Sequence, residues 1–353
     1  MLAQQSLAFW LRAARPPSFG QSIMAFTLGA ALGLSTLLYS AGVEGGVSPA
    51  LVTMGVLLAF LGIAGITFAH AGMNLFDDYF DMKKGAVAAR EKLTDGGFRA
   101  RLGKCSYLKD GSVTLADTRR VATVFIAIAL AAAAIIFALR GWEILLFAGI
   151  TLLLGLSYAG PPLRLSYRGL GELVVGIVFG PVLVIAASFV VCGEITMLAV
   201  FSSIPVGLLV ANIVHMHAVM DFEPDKAAGR TTLAILLGSP QTAVAANVLF
   251  VGLAQTTILL GVALGYLPLL AVLVVLTYPL SFVFVRRALG YAAGIDGRDA
   301  PFVPQRWMGG FGDWEKYRAA DLDWFMSRWM LARNLVIQVT LILAITGFTP
   351  WYL

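Results

Sequence analysis

The chain has 353 residues, 59% of them hydrophobic and 13% charged, with a mean hydropathy of +0.84. A soluble domain carries about 25% charged residues, so that class is excluded and a polytopic membrane protein is implied. The net charge of +5 then reports topology and contact with anionic lipid, not nucleic-acid binding.

Apolar stretches long enough to cross about 30 Å of hydrocarbon fall at 18–41, 50–76, 120–139, 142–160, 170–192, 196–220, 242–264, 267–286 and 330–351. They predict an all-α membrane protein with nine transmembrane helices around a central cavity open to the cytoplasmic side. With the N-terminus in the cytoplasm, every one of the 25 Lys and Arg residues except Arg140 falls on that side. This is the asymmetry that orients membrane proteins, and an eight- or ten-span count breaks it. The expected placement is a multi-pass protein of the cell membrane, with the active site cytoplasmic and the C-terminus outside.

Residues 1–18 do not read as a signal peptide, because the apolar run that follows is long and no small-residue cleavage site closes it. Cys105 falls in a cytoplasmic loop and Cys192 near the opposite face, so no disulfide joins them. The loop 82–118 is basic and Gly-rich, with a short helix predicted over 86–93. The loop 290–327 sets Trp307, Trp314, Tyr317 and Trp324 among charges, the pattern of an interfacial lid or belt.

Two acidic clusters stand at the cytoplasmic ends of spans two and six. The first reads Asn74-Leu75-Phe76-Asp77-Asp78-Tyr79-Phe80-Asp81 and the second Asp221-Phe222-Glu223-Pro224-Asp225-Lys226. A carboxylate at mid-helix in a bilayer costs about 2.5–3.5 kcal/mol, so such clusters need a function. Residues three or four apart share a helix face. Asn74, Asp78 and Asp81 therefore align with Asp77 on their flank, and Asp221 aligns with Asp225. Facing carboxylate rows suit Mg²⁺, which takes its remaining ligands from water and phosphate. The neighbouring bases Lys83, Lys84, Lys226 and Arg230, with Arg15 before Pro16-Pro17, would balance a diphosphate. Glu223 and Asp77 also fit simple solvent-facing positions. The spacing of the clusters suggests one domain over 1–353, built from two parallel halves of about 1–165 and 166–353.

These motifs resemble the UbiA superfamily of intramembrane prenyltransferases over nearly the whole chain. Its first motif matches Asn74, Asp78 and Asp81, and its second matches Asp221 and Asp225. The stretches Ser157-Tyr158-Ala159-Gly160-Pro161-Pro162, Tyr167-Arg168-Gly169-Leu170-Gly171-Glu172 and Asp78-Tyr79-Phe80-Asp81-Met82-Lys83-Lys84-Gly85 resemble the dihydroxynaphthoate polyprenyltransferases of menaquinone biosynthesis. Where that branch often carries Asn and Arg before the second motif, this chain has His217 and Met220.

The resemblance implies Mg²⁺-dependent transfer of a polyprenyl group from polyprenyl diphosphate to an aromatic acceptor in a membrane-lipid setting. Asp78, Asp81, Asp221 and Asp225 are the implied catalytic residues and, with Asn74, the implied metal ligands. Asn74, Lys84, Lys226, Arg230 and Arg15 are then the diphosphate contacts. Tyr158 offers a π face to the allylic cation, and His217 is a candidate for the acceptor pocket.

His215 and His217 are two residues apart and point to different helix faces, so a shared metal is not expected. Glu172 is placed to orient Arg164 or Arg168, and Asn212 reads as packing between helices. Asp77-Asp78-Tyr79-Phe80-Asp81 also matches the acidic motif of soluble prenyl diphosphate synthases, which nine apolar spans exclude. An ion-coupled transporter is the rival of another class, but it needs its carboxylates near mid-membrane. Within the superfamily, a hydroxybenzoate, a tetrapyrrole or a glycerol phosphate remains an alternative acceptor.

Overall fold

A computed structural model describes residues 5–43, 48–85, 105–227, 229–295 and 301–349; the helix predicted over 86–93 lies outside them. A short helix, α1 (Leu7–Ala13), begins at Ser6, whose side chain caps the Phe9 amide. The spans follow as α2 (Phe19–Val43), α3 (Pro49–Lys84), α4 (Leu115–Arg140), α5 (Glu143–Ala159), α6 (Gly171–Cys192), α7 (Met197–Met220), α8 (Pro240–Ala263), α9 (Leu269–Ala292) and α10 (Asp323–Thr346). Among the described residues, eight are long and apolar enough to cross a membrane. The ninth predicted span, α5, has 17 residues, about 26 Å at 1.5 Å per residue, and sits at the lower limit for crossing.

Each helix packs on the next, and α10 closes the ring against α2. The inner helices α6 and α7 are the most buried, while α3, α4, α8 and α9 turn much of their surface outward. Leu57, Phe60, Leu249, Leu276 and Phe282 are exposed there, as befits side chains that face lipid tails.

Two departures from the predicted spans matter for the site. Instead of stopping near residue 76, α3 runs unbroken through all 36 residues to Lys84, where Gly85 at φ 72° ends it. At about 54 Å it exceeds the hydrocarbon thickness, so the first acidic cluster rides on a helical extension. In contrast, α7 stops at Met220 and a separate short helix, Phe222–Ala227, carries Asp225. The Asp225 amide still donates to the Asp221 carbonyl at 2.8 Å, which keeps the two aspartates one turn apart.

The ends of the bundle differ in charge, as the basic residues predict. Arg140 closes the end opposite the acids by donating to the carbonyls of Val190 and Val191, both at 2.7 Å, where the last turn of α6 has unpaired acceptors. Cys105 and Cys192 form no disulfide.

With lipid outside, no hydrophobic force drives the helices together, so close packing and hydrogen bonds hold the ring. Gly180 and Gly207 bring α6 and α7 into backbone contact, and a Cβ on Gly180 would lie 2.5 Å from Gly207 Cα. Gly29 does the same between α2 and α6, 2.2 Å from the Val184 carbonyl. Asn247 Nδ2 donates to Asn212 Oδ1 at 2.8 Å between α8 and α7, the packing role expected of Asn212. Within α6, Pro181 supplies no N–H, and the helix widens to a π turn over Val178–Val182. Such turns are frequent at functional sites, and this one borders the central cavity.

A Gly180→Val variant meets α7 backbone that cannot rotate away, since the atoms nearest a new Cβ are Gly207 Cα, Ser203 O and Gly207 N. It is expected to lose about 1–3 kcal/mol, measured as a lower melting temperature in detergent. An unchanged melting temperature would show that α6 and α7 do not depend on this contact.

Candidate active site

A cavity of about 860 Å³ opens among the helices near the acidic end of the bundle. Its wall includes Asp77 and Asp78 from α3, Asp225 from the short helix after α7, and Arg15 and Arg230. The two acidic clusters, 147 residues apart by the numbering of Asp78 and Asp225, thus border one space.

The α1 turn and the start of α2 place Arg15. Arg15 adopts a left-handed conformation (φ 63°, ψ 66°) before the Pro16–Ser18 turn, a costly geometry for a residue with a Cβ. Asn74 holds the turn there, its side-chain amide donating to the Ala14 carbonyl at 2.8 Å and to Ser18 Oγ at 2.9 Å. Arg15 Nη2 in turn lies 3.3 Å from Asp77 Oδ2 and 3.3 Å from Asp78 Oδ1, and donates to the Asn74 carbonyl at 3.1 Å. Burial works against the Arg15 charge, but Asp78 and Asp77 outweigh it and push the guanidinium pKa up. Asp77 is therefore half-buried and ion-paired, and does not face solvent as its flank position suggests.

Two tyrosines orient the buried carboxylates. Tyr107, on the short helix Ser106–Lys109, donates to Asp78 Oδ2 at 3.0 Å, and its ring packs edge-on against Trp10 of α1. Tyr167 donates to Asp81 Oδ1, and its ring lies beneath Lys84 Nζ at 3.7 Å and near Arg230 at 5.2 Å. Burial first, then the neighbouring aspartate, raises the pKa of both phenols. They stay protonated and act as donors to anionic oxygens. Tyr167 thereby links Asp81 of the first cluster to Arg230 beside the second.

Arg230 follows the second cluster, and its backbone amide donates to the Asp225 carbonyl at 2.9 Å. Burial opposes its charge, but Asp225, Tyr158, Asp81 and Asp77 together raise its pKa. A parallel bridge between Arg168 and Thr231 ties this loop to the one after α5.

The remaining predicted residues divide by position. Tyr158 and His217 line the cavity, and the His217 ring lies 4.9 Å from that of Phe325 and 6.0 Å from that of Trp329. Asp81 and Asp221 are buried and are not among the residues that line the cavity. Lys226 and Lys84 are exposed. His215 does point away from His217: its Nδ1 lies 3.3 Å from Glu172 Oε1 and its Nε2 2.9 Å from the Ala243 carbonyl. Glu172 therefore pairs with His215, not with Arg164 or Arg168, because the start of α6 faces α7. Of the aromatic residues in the predicted lid or belt, Trp314 and Trp324 are buried and Tyr317 lines the cavity, while Trp307 stays exposed. Tyr107, His70 and the pairing of Arg15 with Asp77 carry no spacing signal, and Tyr167 stood in a recognised stretch without a role.

Among the described residues, no three His, Cys, Asp or Glu side chains form a ready-made ion site.

Residues 32–294 match the UbiA prenyltransferase family. The chain belongs to that family. It is 34% identical over 165 residues to the 1,4-dihydroxy-2-naphthoate octaprenyltransferase of Bacillus subtilis (strain 168), a match covering 47% of this chain and 50% of that one. The chain thus spans about half the length of this relative. It is 29% identical over 250 residues to the UbiA prenyltransferase domain-containing protein 1 of Danio rerio, covering 70% of this chain and 66% of that one. A UbiA homologue from Archaeoglobus fulgidus, solved bound to GPP and Mg²⁺, shares the fold with a TM-score of 0.53 at 16% identity, covering 95% of this chain and 99% of that one. A digeranylgeranylglyceryl phosphate synthase shares it at 0.56 and 14% identity, over 97% of this chain and 98% of that one. Both acidic clusters fall inside the UbiA match, whereas Arg15 precedes it.

Replacing Arg15 with Gln removes a guanidinium that pairs with both Asp77 and Asp78. The variant is expected to lose about 1–3 kcal/mol without added metal, read as a lower melting temperature. Millimolar Mg²⁺ should raise that temperature more in the variant than in the parent. Equal Mg²⁺ shifts in both proteins would show that Arg15 and the metal do not share these carboxylates.

Proposed function

We propose that this chain is a Mg²⁺-dependent prenyltransferase of the cell membrane, which moves a polyprenyl group from its diphosphate to an aromatic acceptor. A dihydroxynaphthoate of menaquinone biosynthesis is the acceptor the reading favours. The observation that carries the proposal is the meeting of both acidic clusters, with Arg15 and Arg230, on one cavity whose remaining wall is mostly apolar. The similarity to the naphthoate octaprenyltransferase supports the acceptor class.

The residues present fit the metal. Asp78 and Asp225 offer carboxylates on the cavity wall, and the side-chain oxygen of Asn74 with the buried Asp81 and Asp221 would supply further ligands. Bound there, Mg²⁺ would neutralise charge on the departing diphosphate and so lower the barrier to C–O cleavage. The protein's own groups do the rest. Arg15 and Arg230 counter the remaining phosphate charge. Tyr107 and Tyr167 fix Asp78 and Asp81 so that their oxygens need no reorganisation. Tyr158, near Arg230 on the cavity wall, presents a π face to the allylic carbon as positive charge develops.

Below this polar rim Ile66, Val175, Phe179 and Ile213 line the cavity and keep water from the cation. A polyprenyl tail gains about 0.8 kcal/mol for each buried CH₂, which accounts for an enzyme embedded in lipid. In this reading the acidic end, with nearly all the Lys and Arg, faces the cytoplasm. The halves 1–165 and 166–353 form one domain, each contributing an acidic helix end.

Purified protein in nanodiscs, given labelled polyprenyl diphosphate, Mg²⁺ and a panel of aromatic acids, should form a prenylated product identified by mass. Chelation of the metal should abolish the product. Asp78→Ala and Asp221→Ala should each reduce turnover at least a thousandfold (on the order of 4 kcal/mol of barrier) while the protein still inserts and purifies. Near-parental turnover in either variant would rule out the metal assignment. Product formed only with a hydroxybenzoate or a glycerol phosphate would move the acceptor to another branch.

A further inference from the structure

Three ionisable groups line the cavity deeper than the acidic rim: His70, Glu172 and His217. Glu172 is committed to His215, and His217 packs among Phe325 and Trp329. His70 is different. It stands on α3 two turns below Asp78, about 12 Å along the helix axis. Its ring lies between those of Phe19 and Phe179, with centroids 5.4 Å and 5.3 Å away.

The hydrogen bonds around His70 fix its tautomer. Ser22, fully buried on α2, donates its hydroxyl proton to the Phe19 carbonyl at 2.9 Å. Its oxygen also lies 2.9 Å from His70 Nδ1. A hydroxyl has one proton to give, and the Phe19 carbonyl only accepts. Both contacts are satisfied only when Nδ1 carries the hydrogen and Ser22 Oγ accepts it. Nε2 is then the basic nitrogen. Among the described residues no protein group bonds it, and the ring that bears it forms part of the cavity wall.

A neutral imidazole, its far nitrogen anchored and its near nitrogen offered to an apolar cavity, is the arrangement of a general base. An ionisable residue at this depth is costly to keep unless it has work to do. We propose that His70 is a catalytic residue: its Nε2 accepts the hydroxyl proton of the aromatic acceptor as the ring attacks the prenyl group. This rests on the prenyltransferase reading above, and it narrows the acceptor to an aromatic ring with a hydroxyl conjugated to the carbon that is alkylated. Phe179, which lines the cavity beside His70, provides a flat face for such a ring.

The electrons balance without a further reactant. The C–O bond of the prenyl diphosphate breaks with its electron pair leaving on pyrophosphate. The ring carbon supplies the pair for the new C–C bond. The O–H pair of the acceptor becomes the second bond of a ring ketone, and the proton moves to Nε2. Loss of carbon dioxide from the alkylated carbon, or of a proton from it to the released pyrophosphate, restores aromaticity, and the oxygen takes its proton back from His70.

The test compares the parent with His70→Gln and Ser22→Ala in nanodiscs, using acceptors of graded hydroxyl acidity made by ring fluorination. Binding of the prenyl diphosphate with Mg²⁺ is measured separately by calorimetry. Loss of product in the parent itself would refute the prenyltransferase reading and not this inference. With an active parent, His70→Gln should lower kcat about 100-fold for the un-ionised acceptor, with diphosphate binding unchanged. The loss should shrink to less than tenfold for an acceptor already ionised at the assay pH. Ser22→Ala, which frees the tautomer but keeps the base, should show a smaller loss with the same dependence on acidity. A His70→Gln enzyme within threefold of the parent overturns the inference. So does a loss of the same size for every acceptor, in either variant, since that marks a packing defect.

Discussion

The structure turns on negative charge held inside a membrane protein. Asp78, Asp81, Asp221 and Asp225 are all buried, and an isolated carboxylate there would take up a proton sooner than stay charged. Arg15 and Arg230, with the phenols of Tyr107 and Tyr167, supply the opposite charge and the donors that make these anions tolerable. Arg15, Tyr107 and Tyr167 each come from a segment distant in sequence from the acid they serve, and Arg230 alone stands close behind its acid, Asp225. The site is therefore a condition on the whole ring of helices, and α2, α3, the loop before α4, the loop before α6 and the end of α7 must all close together.

The same partners prepare the cavity for a substrate. In the proposed function, an arginine paired with an aspartate already stands where a diphosphate and its metal would lie. Binding would then exchange one set of counter-charges for another without building the site anew. Because the phenols of Tyr107 and Tyr167 remain protonated, they hold their aspartates through that exchange. Below them the wall turns apolar and aromatic, so polarity falls within a few turns from a rim for phosphate to a chamber for hydrocarbon. The unbroken length of α3 produces this gradient, since one helix carries Asp78 at the rim and His70 in the chamber.

Packing between helices sets the shape of the chamber. The Gly180–Gly207 and Gly29–Val184 contacts bring α6 close to α7 and α2, and Val178 and Phe179 of the π turn around Pro181 line the cavity. In the segment 301–322, Trp314 is buried against Phe302 and Phe311 and Tyr317 reaches the cavity.

Much of this was legible in the chain. Hydropathy alone gave nine apolar helices, because a span must be long and oily whatever surrounds it, and the distribution of Lys and Arg gave the difference between the two ends. The aspartates stood out because carboxylates beside lipid are too costly to be incidental, and their spacing of three and four placed them on one helix face. Motif resemblance carried these observations to the family. The partners stayed hidden. Tyr107, His70, the turn of Arg15 onto Asp77, and the choice of His215 by Glu172 follow no local period, for they depend on which helices become neighbours. Local pattern determines where each helix runs and which faces are polar; only the closed ring decides which polar groups meet, because that is settled by contacts between residues far apart in sequence.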